Sequence, residues 1–227
     1  KNELELLNVW KDEIPAEVFT ETFTPPITDG SGNDRKNLLK AKEILEKEGW
    51  FVEDGKLVKD GKEFKFEFLI VSPSDEKIAL AYQSNLKKLG ITMDVRTVDS
   101  SQYQERLLSY DFDMIKRYWG VSLSPGNEQQ FYWGSEVGQK DGSRNYPGIN
   151  SPAVDALIEK LISATNREEL TTAIHALDRV LLWGHYVVPL YHSNKDRIAY
   201  WDFFEYPDEI PLYGIVIESW WINKDKQ

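Results

Sequence analysis

The sequence predicts an α/β fold in which a mostly parallel sheet is flanked by helices. Three segments, 64–71, 91–98 and 112–119, have the alternating or continuous apolar pattern of strands. A segment with helical periodicity follows each of the first two strands. Strands that alternate with helices of this length are joined by right-handed crossovers, which place the strands parallel.

The first long helix is predicted directly after Asp34, a residue type that caps helix N-termini. In the segment RKNLLKAKEILEKEGW, the side chains of Leu38, Ala41 and Leu45 lie on one helical face, and Gly49 ends the helix. Before this helix, prolines and the cluster TDGSGND interrupt any regular element. We therefore expect residues 1–34 to form an irregular N-terminal segment.

The elements of the predicted sheet follow in order. The stretch FKFEFLIV alternates and then becomes fully apolar, as expected for the first strand. The next segment, SDEKIALAYQSNLKKLG, places Ile78, Tyr82, Leu86 and Leu89 on one stripe and predicts a helix that ends at Gly90. The second strand, ITMDVRTV, precedes the helical segment SSQYQERLLSYD, and the third strand is FDMIKRYW.

Two further helices are predicted to form a hairpin against the sheet. Ser151 caps the first of them, Pro152 takes its first position, and apolar residues follow at helical spacing. Asn166 and Glu169 form a capping pattern for the second helix, which closes near Gly184. After these helices, the segments VVPLYH and RIAYW are predicted to be strands.

The composition argues against several classes of function. The chain has 27 basic and 38 acidic side chains, and its formal charge of -11 would repel nucleic acid and anionic lipid. Without cysteine there is no disulfide framework, thiolate zinc site or cysteine nucleophile. No run approaches the roughly 18 apolar residues that span a bilayer, and the first residues, KNELELLNVWKDE, lack the layout of a signal peptide.

The sequence gives no support for a metal site, a bound cofactor or a catalytic centre. His175, His185 and His192 lack the HExxH spacing of zinc enzymes. The cluster DGSGND departs from a calcium-binding loop, because Asp34 stands where the turn glycine belongs. Nucleophile-elbow, dinucleotide and phosphate-loop patterns are absent, and no spacing singles out a glycosidase carboxylate pair. We therefore expect no enzyme, metal or cofactor.

A candidate ligand site begins where the third predicted strand ends. The tripeptide Tyr-Trp-Gly occurs at 118–120 and again at 132–134. The first copy leaves the carboxyl end of that strand, which is where open α/β sheets bind ligands. Tyr118 and Trp119, followed by Ser122 and Asn127, would suit a ligand cleft. The alternative is that these rings pack in a core.

Other aromatic and polar residues around this loop allow two interpretations. For Phe131, Tyr132 and Trp133, core packing is the simpler reading, since aromatic rings dominate protein interiors. In the loop DGSRNYPGIN, Arg144 and Asn145 could offer a charged fork and an amide to a ligand, with Tyr146 beside them. The alternative for this loop is a solvated turn.

These segments together resemble a known family. The end of the third strand at Trp119, the loop SLSPGNEQ and the segments GSRNYPGINSPAVDALI, NREELTTAIHALDRVLL and VVPLYH resemble the C-terminal part of oligopeptide-binding proteins of ABC importers, solute-binding protein family 5. The segments LVKDGKEFKFEFLIVSPS and RIAYWDFFEYP resemble its YejA-like branch. The resemblance covers nearly the whole chain.

The resemblance implies a lobe of a two-lobed periplasmic receptor with the type II periplasmic-binding fold. Members of the family have a signal peptide upstream, close on a peptide or peptide-like ligand and deliver it to ABC permease subunits. On this basis residues 35–195 would form one α/β lobe, and residues 196–227 would return towards an N-terminal lobe missing from this chain. An isolated lobe is expected to bind peptide weakly or not at all.

The resemblance also assigns residues to the ligand site. Trp119 matches a tryptophan in the family's cleft. Three positions later, many members have an aspartate that binds the amino terminus of the peptide, but this chain has Ser122. A neutral hydroxyl cannot replace that ion pair, and Glu128 is a candidate substitute in the same loop.

Two alternatives from other classes stay open. A carbohydrate-binding or carbohydrate-active domain would also use an exposed tryptophan. A structural or protein-interaction domain would instead bury both copies of Tyr-Trp-Gly.

Overall fold

The computed structural model describes residues 2–120, 122–138, 140–191 and 194–226. The chain divides into two compact units at the boundary between Tyr186 and Val187. The helices of the first unit are α1 (Asn2–Leu7), α2 (Glu17–Thr20), α3 (Arg35–Lys47), α4 (Pro73–Lys87), α5 (Ser100–Leu108), α6 (Glu128–Trp133), α7 (Ser135–Gly138), α8 (Pro152–Ile162) and α9 (Arg167–Trp183).

The strands form three small sheets. They are β1 (Phe51–Glu53), β2 (Lys56–Lys59), β3 (Lys62–Glu63), β4 (Lys65–Ile70), β5 (Thr92–Thr97) and β6 (Met114–Ile115) in the first unit, and β7 (Phe204–Glu205) and β8 (Trp221–Ile222) in the second. Among the described residues, no helix is both long enough and apolar enough to cross a membrane.

The predicted parallel sheet is present, with β4 in its centre and the strand order β5-β4-β6. Phe68 pairs with Val95 of β5 and with Met114 of β6, and both pairings are parallel. The fold is therefore the α/β fold that the alternation of strands and helices predicts.

Helices cover both faces of this sheet. Because side chains alternate along a strand, Phe68 and Ile70 of β4 pack with Ala79 of α4, whereas Leu69 packs on the other face with Tyr103 and Leu107 of α5. The capping predictions for the helices are confirmed as well. The side chains of Asp34, Ser151 and Asn166 accept hydrogen bonds from backbone N–H groups at the starts of α3, α8 and α9.

The third strand is shorter than predicted. The sequence pattern extends to 119, but β6 is only Met114–Ile115. Its partner β4 ends at Ile70, and the register pairs Leu69 with Ile115. Beyond Lys116 the chain therefore has no β4 residue to pair with, and it leaves the sheet as an irregular segment.

An antiparallel sheet of β1, β2 and β3 precedes β4, and the sequence analysis missed it. Asp54-Gly55 and Asp60-Gly61 form its two turns, and all four residues have positive φ, from 47° to 80°. Aspartate followed by glycine is a strong hairpin signal because tight hairpin turns require positive φ at both central residues. The signal was present in FVEDGKLVKDGKEF.

The N-terminal segment is more regular than predicted, and it changes where the helical hairpin packs. Leu7, at the end of α1, and Val18, in α2, are fully buried against α8 and α9. Arg179 of α9 donates hydrogen bonds to the carbonyl oxygens of Val18 and Glu21 at 2.9 and 3.0 Å. Residues 21–34 contain no helix or strand, as expected, but residues 2–20 are largely helical, because apolar residues spaced along them complete a core with the hairpin.

The expectation that the hairpin packs against the sheet was wrong for the same reason. The core cluster that contains Leu157 of α8 and Leu177 of α9 includes residues of α1 and α2 but no described residue of the central sheet. The helix pattern identified an apolar face, but it could not identify the element that covers this face.

The second unit has short elements. The two strands predicted there, VVPLYH and RIAYW, are not strands over the described residues 187–191 and 197–201, and His192 lies outside the described residues. Most of these side chains are exposed, and Pro189 has no N–H to donate to a ladder. The only described strands of this unit are β7 and β8, which pair antiparallel.

The close approach of β2 to the end of α4 should make Gly90 intolerant of a side chain. Gly90 has φ +80°, and a Cβ atom there would lie 2.8 Å from the Leu57 nitrogen. Gly61 has φ +72°, and a Cβ atom there would meet nothing within 4 Å. In both alanine variants positive φ costs about 1 kcal/mol, and in Gly90→Ala the clash adds about 1–3 kcal/mol. Urea denaturation should show this difference, and equal losses would contradict it.

Candidate functional site

The candidate site begins at the carboxyl edge of the parallel sheet. Since β4, β5 and β6 are parallel, they end at the same edge, and α4 and α5 start there. The Ser72 hydroxyl accepts from the Ser74 N–H, and the Asp99 carboxylate accepts from the Ser101 N–H, which caps these helices. Residues 116–120 leave β6 at this edge, which is the edge that the sequence predicts, although the predicted strand extends to 119.

An ion pair fixes the first residue of this segment. The Lys116 ammonium contacts the carboxylate of Asp75 in the first turn of α4. The Tyr103 hydroxyl of α5 donates to the Lys116 carbonyl at 3.4 Å, and burial raises the pKa of this hydroxyl above its ordinary value. Lys116 therefore connects the segment to both helices that cover the sheet.

The two copies of Tyr-Trp-Gly are in contact with each other. The ring centroids of Trp119 and Trp133 lie 5.0 Å apart. The Tyr132 hydroxyl donates to the Gly120 carbonyl at 3.0 Å. Trp133 lies in α6, so its packing attaches this helix to the segment that follows β6.

The two copies differ in exposure. Tyr132 is 7% exposed, whereas Tyr118 is 87% exposed. Trp119 is half-buried, and its Nε1 atom is inaccessible and has no hydrogen-bond partner among the described residues. The expectation of core packing therefore describes Tyr132 but is wrong for Phe131, which is 57% exposed, and the expectation of an accessible ring describes Tyr118.

A basic side chain that the sequence analysis did not select extends this aromatic cluster. The guanidinium carbon of Arg117 lies 5.1 Å from the centroid of the Tyr146 ring, and Nη2 donates to the Tyr146 hydroxyl at 3.3 Å. The Tyr146 ring is 6.5 Å from that of Trp119 and 6.2 Å from that of Tyr110. Arg117 directly precedes Tyr118, a predicted site residue, and this adjacency is the feature of the sequence that could have identified Arg117 as part of the site.

The loop that carries Ser122 and Glu128 is organised by its own hydrogen bonds. The Ser122 hydroxyl donates to the Ser124 carbonyl at 2.7 Å and accepts from the Ser124 N–H at 3.2 Å. Asn127 precedes α6, is exposed and makes no side-chain capping bond.

Glu128 is the acidic residue of this loop. Its Oε1 atom accepts from the Gly126 N–H at 2.9 Å and from the Gln129 amide at 3.3 Å. Partial burial by itself raises the pKa of Glu128, but these hydrogen bonds and that of its own N–H bring the pKa below its ordinary value. The side chain is therefore an anion at neutral pH.

The loop 144–146 brings together residues in different environments. Arg144 is exposed, and Tyr146 is half-buried in the aromatic cluster. Asn145 is fully buried, donates to the carbonyls of Gly134 and Ile149 at 3.0 and 2.8 Å, and accepts from the Ile149 N–H at 2.9 Å. The protein itself therefore uses the amide of Asn145, which joins two loops.

Two concave regions lie elsewhere in the described part of the chain. A groove of about 660 Å³ between α1 and the start of α9 includes Glu5, Lys160 and Asn166. A cleft of about 250 Å³ in the second unit is lined by Tyr200, Trp220 and other mostly apolar residues. No three His, Cys, Asp or Glu side chains within the described part of the chain are grouped to hold a metal ion.

Comparison with known proteins decides the family. The family of bacterial extracellular solute-binding proteins, family 5 middle region, matches residues 10–141, which are more than half of the chain. The chain belongs to this family. The resemblance seen in the sequence is therefore confirmed.

The curated relatives of this family 5 protein are much longer than the chain. An uncharacterized protein of Sinorhizobium fredii, y4wM, is 49% identical over 96% of this chain and 34% of its own length. The probable peptide-binding protein YejA of Agrobacterium fabrum is 42% identical over 98% of this chain and 37% of its own length. The chain thus spans about a third of the length of these relatives.

Solved structures show the same fold as this family 5 chain, that of type II periplasmic binding proteins. The oligopeptide-binding protein AppA of Bacillus subtilis, solved with a nonapeptide, has a TM-score of 0.60 and is 24% identical, covering 82% of this chain and 38% of its own. A periplasmic oligopeptide-binding protein of Thermotoga maritima, solved with mannohexaose, has a TM-score of 0.58 at 19% identity, covering 83% and 40%. At these identities the similarity concerns the fold.

Replacing Asn145 should destabilise the site without removing a surface contact. Asn145→Ala leaves three backbone groups without their partner, and each buried hydrogen bond contributes about 1 kcal/mol, so a loss of about 2–4 kcal/mol in the free energy of unfolding is expected. Arg144→Ala is the matched control, since that side chain is exposed, and it should stay within about 0.5 kcal/mol. Urea denaturation measures both, and similar losses would show that the buried amide has no special role.

Proposed function

We propose that this chain is the C-terminal lobe of an extracellular solute-binding protein of an ABC importer. The longer receptor would capture peptides or peptide-like solutes in the periplasm and deliver them to membrane permease subunits. The observation that carries this proposal is the placement of Tyr118 and Trp119 at the carboxyl edge of the parallel sheet, in a chain of family 5. A relative 42% identical is named a probable peptide-binding protein.

The exposed side chains of the site would contact the ligand, and the buried ones would hold them in place. Tyr118 and the open face of Trp119 would stack on planar or apolar parts of the solute. Asn127 and Arg144 are exposed and could donate hydrogen bonds to an extended backbone, whereas the exposed Ser122 hydroxyl, which donates its proton to Ser124, could accept one. We assign Asn145 to the positioning of the loop, because its amide is used by Gly134 and Ile149.

Glu128 is the residue we propose for the amino group of a peptide. Its pKa is lowered, so it carries a negative charge where Ser122 cannot. Its Oε2 atom makes no hydrogen bond to a described residue, whereas Oε1 is already used by the loop. A charge-assisted hydrogen bond from an ammonium group to Oε2 would fit this geometry.

The proposed role is binding rather than catalysis, and it needs a second lobe. The proposed lobe is residues 35–195, together with α1 and α2, which complete the core of its helical hairpin. This lobe and the return segment, 196–227, would face an N-terminal lobe supplied by the rest of the polypeptide. Domain closure about a hinge would then surround the solute and present the closed receptor to the permease.

An oligosaccharide is the second candidate ligand. The exposed Tyr118 ring could stack on a sugar, and the Thermotoga maritima protein of the same fold was solved with mannohexaose. Mass spectrometry of solutes that co-purify with the full-length gene product distinguishes the two classes. Peptides are expected, and oligosaccharides alone would replace the proposed ligand class.

Removing the exposed ring should weaken binding without affecting the fold. Tyr118→Ala in the full-length gene product should reduce affinity for a co-purifying peptide roughly tenfold, because a stacked ring contributes on the order of 1 kcal/mol beyond the area it buries. Phe51→Ala, which removes an exposed ring from β1, is the control and should leave affinity unchanged. Calorimetry gives both values, and an unchanged affinity for Tyr118→Ala would place the ligand elsewhere.

The isolated chain should bind the same peptide far more weakly than the full-length gene product. The proposed opposite lobe would supply further contacts to the solute, and each lost factor of ten in affinity corresponds to about 1.4 kcal/mol. Circular dichroism would first verify that the 227-residue chain is folded. Equal affinities in calorimetry would refute the proposal of a second lobe.

A further inference from the structure

We infer that Gln129 is a positioning residue for the amino group of the bound solute, through the hydrogen bonds by which its amide connects Glu128 to Trp133. This inference rests on the proposed function, in which Glu128 accepts from that amino group. It specifies how the site keeps this acceptor charged and in place. Gln129 itself would not contact the solute.

The first observation is that Gln129 places an amide inside the protein. It is 8% exposed and, with Asn145, is one of two polar side chains that are buried among the described residues. A buried amide costs free energy unless it is hydrogen-bonded. The partners of this amide therefore show what the side chain does.

The second observation is that these partners fix the orientation of the amide. Oε1 of Gln129 accepts from the Trp133 Nε1–H at 2.9 Å, and Nε2 donates to Oε1 of Glu128 at 3.3 Å. An indole can only donate and an ionised carboxylate can only accept, so the reversed amide would lose both hydrogen bonds. Trp133 therefore determines which end of the amide faces Glu128.

The third observation is that the same amide connects the acidic and the aromatic parts of the site. Trp133 follows Gln129 by four residues, which is about one turn of α6. Its ring centroid lies 5.0 Å from that of Trp119, and the ring also packs against the core of the helical hairpin. The position of the Glu128 carboxylate is thereby linked to that of the rings.

The charge of Glu128 depends on neutral donors. Partial burial raises the pKa of this carboxyl group, but hydrogen bonds from the Gly126 N–H, from its own N–H and from the Gln129 amide bring the pKa below its ordinary value. Gln129 supplies the side-chain hydrogen bond among these. Without it, the cost of burial would be less fully offset.

Charged side chains on the neighbouring elements do not take over this task. Within the described ranges, no ion pair joins Glu128 to a basic side chain. The helices α7 and α8 pack against α6, and Asp155 of α8 accepts from the Ser135 N–H. Other charged groups around α6 have their own partners: Glu136 with Lys140, Lys116 with Asp75, and Arg117 with the ring of Tyr146.

The test uses the full-length gene product and alanine peptides of two to five residues, each with a free amino terminus and in N-acetylated form. Gln129→Met removes the amide but keeps a side chain of similar length and helix propensity. Gln130→Met is the matched control, the same substitution at the exposed next residue of α6. Trp133→Phe removes the indole N–H and keeps an aromatic ring.

Circular dichroism first verifies that each variant is folded, and calorimetry then measures affinity from about pH 3 to about pH 7. This range includes the ordinary pKa of a glutamate and leaves a terminal amino group protonated. If Gln129→Met does not fold, Trp133→Phe decides the test by itself.

At about pH 7 the original protein should prefer the free amino terminus by roughly tenfold to a hundredfold, the range for a hydrogen bond to a charged group. Gln129→Met should lose most of this preference and keep its affinity for the acetylated peptides. Trp133→Phe should reduce the preference in the same direction, because the amide is then no longer held in the orientation that serves Glu128. Gln130→Met should change neither.

The pH profile separates positioning from packing. The preference disappears as the pH falls through the pKa of Glu128, because the protonated acid no longer attracts an ammonium group. Gln129→Met removes a hydrogen bond that lowers this pKa, so any preference that remains should be lost at a higher pH than in the original protein. A residue that only packs would not move this midpoint.

Other outcomes overturn the inference in distinguishable ways. If Gln129→Met weakens both forms alike, or if Gln130→Met has the same effect, the amide has no role in positioning. An unchanged preference in Trp133→Phe excludes the connection to the indole. If the original protein binds both forms equally, Glu128 does not accept the amino group, although peptide capture stands. If no peptide binds in either form, the proposed function fails, and this inference fails with it.

Discussion

The parallel pairing of β4 with both of its neighbours is the constraint on which the candidate site depends. Parallel strands end at one edge, so the segments after β4, β5 and β6 are brought together regardless of their separation in sequence. The same register ends the third strand at Ile115, because β4 turns into the cap of α4 after Ile70. The residues from Lys116 to Gly120 are thus released from the sheet where helix N-termini and neighbouring loops surround them.

Contacts between loops then determine which side chains face solvent. The second Tyr-Trp-Gly serves as a support for the first, through the Trp119–Trp133 contact and the hydrogen bond from Tyr132 to Gly120. The buried amide of Asn145 fixes the loop before α8 to the residue after Trp133. A buried polar group that lacks hydrogen bonds costs free energy. The hydrogen bonds of the Asn145 amide therefore favour one conformation of this loop. A rigid support of this kind is what a binding surface requires from residues that lie outside regular elements.

Electrostatics distinguish the site from the rest of this acidic chain. The ion pair of Lys116 with Asp75 neutralises one basic residue, and the stacking of Arg117 on Tyr146 positions another without neutralising it. Glu128 retains its charge because hydrogen bonds from its own loop offset the cost of burial. The positive charge of Arg117 and the negative charge of Glu128 therefore both lie in the part of the chain that follows β6.

The sequence by itself determined the succession along the chain of the strands and helices that form the parallel sheet and its cover, the caps of the long helices, and the family. The elements and caps depend on local periodicity and local residue types, and the family depends on short sequence segments that follow one another in a fixed order. It also contained the Asp-Gly turns of the antiparallel sheet, although they were not used. Only the tertiary structure decided that α1 and α2 complete the core of the helical hairpin, that Asn145 is buried while Arg144 is exposed, and that Arg117 stacks on Tyr146. These facts depend on contacts between residues distant in sequence, and the periodicity of a segment specifies that it has an apolar face but not which partner covers it.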